Sequence, residues 1–252
     1  MEIGRAEAVL MARGGAKVVV SDVGVDDGVS RAESVVAEIT ADGGVATATM
    51  TDLATFEGAR DVVQTAIDRF GCLDIVLNNA GLRAPNAVQD LTEGEYDRVL
   101  NSHLKATFAM IKRAVPIFLE HGRGVILNTS SESGLGHPFN SAYAAAKEGI
   151  TGLTRSIARE LGPRGIRCNQ IRPRAEGTQD AAFVAAFRKF KPQRDALGRF
   201  GLGSHGDVNR PSVPKDVATL AVWLCTEHSF CAHGRSRSTG LPLWVWRPAP
   251  SG

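Results

Sequence analysis

Short runs of β-branched and apolar residues alternate along this chain with longer stretches whose apolar positions recur every three or four residues. The runs AKVVVSD (Ala16–Asp22), VATATM (Val45–Met50), GVILNTSS (Gly124–Ser131) and GIRCNQI (Gly165–Ile171) have the length and residue types of strands. LDIVLNNAG (Leu73–Gly81) is a continuous apolar run, the pattern of a strand covered on both faces of a parallel sheet. Between these runs, Arg31–Gly44, Phe56–Gly71, Glu93–Glu120, Ala142–Leu161 and Pro214–Glu227 read as helices, the first two closed by glycines. Strand and helix alternate throughout, which predicts an α/β, doubly wound parallel sheet in one domain over residues 1–252. Residues 176–213 are rich in Gly, Arg and Phe, lack periodicity, and read as a long functional loop.

Composition narrows the classes. A hydrophobic share of 43% supports a full core, and a net charge of +2 with scattered Arg and Lys argues against a nucleic-acid partner. No apolar run approaches the roughly 18 residues that span a bilayer, and Met1–Ala6 lacks the apolar centre of a signal peptide. A cytoplasmic protein with no membrane partner is expected. Cys72, Cys168, Cys225 and Cys231 form no C-x-x-C pair and have no clustered histidines, so free thiols and no metal site are expected.

In a doubly wound sheet, ligands sit at the carboxyl ends of the strands. Asp22, Asp52, Asn79, Ser131 and Pro173 all fall on that rim, and Tyr143 opens the helix after one of these strands. In SAYAAAKEG (Ser141–Gly149), Ser141 can cap and the alanines favour helix, so Tyr143 and Lys147 share a face at i, i+4. A free phenol, with a pKa of about 10, is a poor base at neutral pH, and a neighbouring ammonium favours the phenolate. Taken alone, the same spacing also fits an ordinary surface pair.

N-N-A-G at Asn78–Gly81, S-S-x-S-G at Ser130–Gly134, Y-A-A-A-K at Tyr143–Lys147, C-N-Q-I-R-P at Cys168–Pro173 and P-K-D-V-A at Pro214–Ala218 follow one another in this order. On these motifs the chain resembles the short-chain dehydrogenase/reductase family over most of its length. The resemblance implies a Rossmann-like sheet and hydride transfer between NAD(P) and a small alcohol or ketone substrate. It makes Tyr143 the acid/base and Lys147 the cation that lowers its pKa and binds the nicotinamide ribose. Ser131 would hold the substrate oxygen. Ser130 remains an alternative, because the family's serine-to-tyrosine spacing is usually one residue longer than that from Ser131 to Tyr143.

For the cofactor, the resemblance places Gly4 at the last glycine of the phosphate loop, Asp52 near the adenine, and Asn79, Ala80 and Gly81 along the adenosine. Thr178 would meet the carboxamide or the phosphates. Asp22 would accept hydrogen bonds from the ribose hydroxyls and repel a 2′-phosphate, so NAD is expected over NADP. His103, in H-L-K-A-T-F (His103–Phe108), stands where the family often has an asparagine that supports a water near the lysine. Each assignment has a plainer counterpart: turn serines and aspartates, a strand-end amide, a buried helical histidine, a loop threonine. H-L-x-x-x-F and C-N-x-I-x-P are similar to the branch that oxidises (3R)-hydroxyacyl-CoA thioesters. The helices around Leu100–Phe118 and Ala142–Leu161 correspond to the family's oligomer surface, implying a homodimer or homotetramer.

Four departures stand out. The family opens with a strand and T-G-x-x-x-G-x-G, whereas this chain starts Glu2-Ile3-Gly4. The first strand and most of the glycine-rich loop are therefore expected to be missing, through a truncated gene model or a degenerate copy. Glu2, near the pyrophosphate position, would repel it. His103 replaces the helix asparagine. Arg174 replaces the usual glycine after Pro173; it would narrow the nicotinamide pocket, grip an acidic substrate, or face solvent. The tail His233–Gly252 is charged where an apolar strand is expected, and its prolines argue against a central strand; a frame shift near Arg235 would account for it. Two functions compete: an NAD-dependent oxidoreductase, and a non-catalytic scaffold that has lost its cofactor.

Overall fold

The computed structural model describes residues 2–173, 189, 213–226 and 236–238. Arg174, Thr178, Cys231 and most of residues 176–213 and 233–252 lie outside the described residues. In chain order the elements are α1 (Glu2–Arg13), β1 (Lys17–Ser21), β2 (Val25–Asp26), β3 (Val29–Ser30), α2 (Arg31–Ala41), β4 (Val45–Thr49), α3 (Phe56–Phe70) and β5 (Ile75–Asn78). Then come α4 (Glu93–Leu100), α5 (Ala106–His121), β6 (Gly124–Thr129), α6 (Ser141–Leu161), β7 (Ile166–Arg172), α7 (Pro214–Cys225) and β8 (Ser236–Ser238).

Two parallel ladders carry the fold. One is β1–β4, with Lys17 opposite Val45 and Ser21 opposite Thr49. The other runs β5–β6–β7–β8, with Ile75 opposite Val125 and Gly124 opposite Ile166. Side chains alternate across these strands, because successive Cβ atoms point to opposite faces. Val19, Val76 and Ile126 pack with α3, α5 and α6 on one face. Val18 and Val20 pack with α1 and α2, and Ile75, Leu77, Val125 and Leu127 with α1 and α7, on the other. Helices thus cover both faces of parallel strands, a Rossmann-like α/β fold. Among the described residues β1 and β5 share no ladder, yet Val19 and Val76 meet in one apolar cluster. No helix among the described residues is long and apolar enough to cross a membrane.

Caps set several boundaries. The Thr55 hydroxyl accepts the Gly58 N–H at 2.9 Å, and Thr92 and Glu95 cap each other reciprocally. The structure also departs from the sequence pattern. The stretch expected as one helix over Glu93–Glu120 holds a π-helical turn at Asn101–Lys105, whose extra residue re-aims the side chains at its centre. Helix α6 starts at Ser141 itself, with Asn140 in the cap position, so Ser141 is not the cap. The β2–β3 ribbon turns on Asp27-Gly28, a hairpin signal that strand-length reasoning passes over. In the atypical tail, Ser236–Ser238 pairs in parallel with Gln170–Arg172 of β7.

Candidate active site

Helix α6 starts beside the carboxyl end of β6, and its first two turns carry Tyr143 and Lys147 on the inward face. Both are buried, at 5% and 3% exposure. The Lys147 Nζ donates to the Thr129 carbonyl at 2.6 Å, at the last residue of β6. It also lies 5.5 Å from the centre of the Tyr143 ring. Burial pushes the phenol's pKa up. The Lys147 charge, then that of Arg83, then hydrogen bonds from Ser131 and Arg83 outweigh it and hold the phenol below its ordinary value. Burial draws the Lys147 pKa down, the phenol opposes that, and Arg83 adds to it.

The two serines face different ways. Ser130 turns inward, its hydroxyl donating to the Lys147 carbonyl at 2.9 Å and lying 3.3 Å from the Thr151 hydroxyl. Ser131 lies on the phenol's side and helps to lower its pKa. Its oxygen also accepts the Ser133 N–H at 3.1 Å, capping the turn Glu132–Leu135. The turn-capping role and the site-facing role therefore coexist in one side chain.

His103 sits at the centre of the π-helical turn, 4% exposed. Its Nε2–H donates to the Leu82 carbonyl at 2.7 Å, and its ring meets the Tyr143 ring edge-on with centroids 5.1 Å apart. Burial first, then Lys147 and Arg83, hold its pKa well below the usual histidine value against the Leu82 contact. The imidazole is therefore neutral at neutral pH, and Nδ1 is a buried acceptor with no hydrogen-bond partner among the described residues. Gly81, at φ 155°, passes against this ring; a Cβ there would collide with it.

The other rim residues lie on α1 and on the turns after β1, β4 and β5. Gly4, in the first turn of α1, lies against Asn79, whose Nδ2 would stand 2.7 Å from a Cβ at position 4. Asp22 follows β1, and its Oδ1 accepts the Gly24 N–H at 2.6 Å. Arg31 is close by, but its guanidinium is held by Asp26 through contacts of 2.8 and 2.7 Å. Asp52 is exposed and caps its own turn, accepting the Ala54 N–H at 2.9 Å. Ala80 is exposed beside Gly81. Thr178 lies outside the described residues.

Two features escape reasoning from spacing. Arg83, on the loop after β5, reaches the Tyr143 oxygen; a lone arginine two residues past N-N-A-G carries no motif. Beneath the rim, half-buried Asn78 donates to buried Asn128 and Asn128 to Thr154, each at 2.9 Å, tying β5, β6 and α6 together.

The chain matches the family model described as Enoyl-(Acyl carrier protein) reductase over residues 2–237. It is 37% identical over 172 residues to the 3-oxoacyl-(acyl-carrier-protein) reductase FabG of Staphylococcus aureus, covering 68% of this chain and 69% of that protein. It is 34% identical to a cyclohexanol dehydrogenase of Acinetobacter sp., covering 92% and 86%, and 37% identical to a trans-4-hydroxycyclohexanecarboxylate dehydrogenase of Sinomonas cyclohexanicum, covering 90% and 83%. A crystal structure of a short chain dehydrogenase from Mycobacterium avium superimposes with a TM-score of 0.75 at 32% identity, over 99% of this chain and 85% of that one.

Proposed function

Since the chain belongs to the short-chain dehydrogenase/reductase family, we propose that it is an NAD-dependent oxidoreductase interconverting a secondary alcohol and its ketone. The observation that carries this reading is the phenol of Tyr143. It is buried and held below its ordinary pKa beside a buried lysine, with Ser131 among the groups that lower it. A nicotinamide cofactor, when bound, supplies or accepts the hydride.

This chain's own groups handle the proton. Tyr143 Oη gives its proton to the substrate oxygen in reduction and takes it back in oxidation. Ser131 donates to that same oxygen and so fixes its position. Lys147, anchored on the Thr129 carbonyl, keeps a positive charge near the phenol. His103, neutral and with a buried acceptor nitrogen that has no hydrogen-bond partner among the described residues, fits a relay of protons through water.

The rim fits a dinucleotide on two counts. Asn79 and Gly4 bring a polar amide and a bare backbone together at the N-terminal turn of α1. Asp22, half-buried at the end of β1, offers a carboxylate to the ribose hydroxyls. The charge of Arg31 is engaged by Asp26, so little there offsets the repulsion of a 2′-phosphate, and NAD is the preferred form. In this reading Asp52, Ala80 and Gly81 would meet the adenosine; Thr178 lies outside the described residues.

The substrate we favour is a 3-hydroxyacyl thioester, on His103-Leu104, Phe108 and the C-N-x-I-x-P stretch; similarity to a 3-oxoacyl reductase supports it. Ring alcohols such as those named for the two dehydrogenase relatives are the second class to assay. We place the protein in the cytoplasm as a homodimer or homotetramer, with the exposed Phe56–Phe108 pair on α3 and α5 supporting an association surface.

Saturable quenching or enhancement of NADH fluorescence, with acetoacetyl thioester and cyclohexanone turnover, tests the reading. Tyr143→Phe should lower turnover by about a thousandfold and leave NADH binding intact. Absence of NADH binding would return the scaffold reading. Turnover that survives Tyr143→Phe would remove the assigned base.

A further inference from the structure

Lys147 is not the only cation at the phenol. The Nη2 of Arg83 donates to Tyr143 Oη at 3.2 Å, across sixty residues of sequence. The same guanidinium lies over the ring, its Cζ 4.6 Å from the centroid. This approach is held in place from two sides. The His103 Nε2–H fixes the Leu82 carbonyl next to Arg83 at 2.7 Å. The Asn86 N–H fixes the Phe139 carbonyl at 3.0 Å, just ahead of α6.

We propose that Arg83 is a second catalytic cation, which shares with Lys147 the negative charge left on Tyr143 Oη whenever its proton resides on the substrate oxygen. The proposal rests on Tyr143 being the acid/base. The O–H bond that breaks is at Tyr143 and the one that forms is on the substrate; Arg83 exchanges no proton. Four groups face the phenol: Lys147 from α6, Arg83 from the loop after β5, Ser131 from the turn after β6, and the neutral His103 from the π-helical turn. Lys147 is wholly buried, and both its burial and Arg83 oppose its charge. A guanidinium keeps its charge across the working pH range, and its planar fork can stack on a ring and donate to its oxygen at once. Arg83 therefore supplies positive charge that does not titrate away with the lysine's.

The chain has two tyrosines, and the other, Tyr96, is exposed on α4. In a Tyr96→Phe background, the ultraviolet signal of tyrosinate reports Tyr143 alone, with no need for turnover. Arg83→Gln should raise the midpoint of that titration by about one pH unit. Arg83→Lys, which keeps a charge but loses the fork, should fall between Arg83→Gln and the parent. The acid limb of kcat/KM for alcohol oxidation should move with the spectroscopic midpoint. A midpoint unchanged in both Arg83 variants, each shown to be folded by circular dichroism, overturns the proposal. Turnover surviving Tyr143→Phe would strike the function above and leave the Arg83 effect on the phenol standing, so the two failures are distinguishable.

Discussion

Lys147 and Glu7 are both almost shut off from water, at 3% and 2% exposure, and differ in what surrounds them. The Lys147 ammonium has a carbonyl at 2.6 Å and a phenol alongside. Glu7, in the middle of α1, has an Oε1 with no hydrogen-bond partner among the described residues, and the nearby thiol of Cys225 offers it no positive charge. Burial alone drives the Glu7 pKa up to about 8, and burial is also the first cause that pushes Cys225 up to about 12. Desolvation favours the neutral form of all three groups. At Lys147 the phenol of Tyr143 opposes that effect, at Cys225 the charge of Arg167 does, and at Glu7 burial stands alone. A buried ionisable residue thus marks a site when its surroundings are built for the charged form, and a stability liability when they are not.

The largest expected effect tests the Glu7 side of this contrast. Folded Glu7 keeps its proton up to about pH 8, whereas the unfolded chain releases it near 4.5. The folded state therefore binds more protons between those values, and stability falls as pH rises through that window, by up to about 1.4 kcal/mol per pH unit. Glu7→Gln should flatten that slope. Urea unfolding at a series of pH values measures it, and parallel curves for parent and variant would defeat the expectation.

Next in size is the contrast between the two serines. Ser131→Ala should lower kcat/KM by about a hundredfold, as expected for loss of one donor at the reacting oxygen. Ser130→Ala should act on stability instead, by about 1 kcal/mol for its hydrogen bond to the Lys147 carbonyl. Steady-state rates and thermal melts on both variants separate the roles; equal rate losses would show that the facing direction does not decide function. The smallest effect is expected at half-buried Asp22 on the rim. Asp22→Asn should shift the NAD-to-NADP preference by about tenfold toward NADP, read from KM for each cofactor. An unchanged ratio would free Asp22 from any part in cofactor choice.

Much of the scaffold was legible because it depends on local periodicity. Val18, Val19 and Val20 alternate between clusters as a buried parallel strand requires, and their sequence shows it. The helix carrying Tyr143 and Lys147 was legible from its alanines. The π-helical turn at His103 was not, because inserting one residue into a helix leaves an apolar stretch looking helical at either pitch. The pairing of Ser236–Ser238 with β7 was hidden for a related reason. Its backbone bonds are available to any residue type, so a charged sequence does not forbid pairing with β7.

The order of strands and helices, the faces they bury and the i, i+4 placement of phenol and amine all follow from the chain alone, since each rests on repeats of two or of about 3.6 residues. Which serine turns to the phenol, which arginine reaches it from sixty residues away, and which glutamate is sealed between helices were decided only when the elements packed. Those outcomes depend on rotamers and on crossovers between distant segments, and no local pattern in the sequence encodes them.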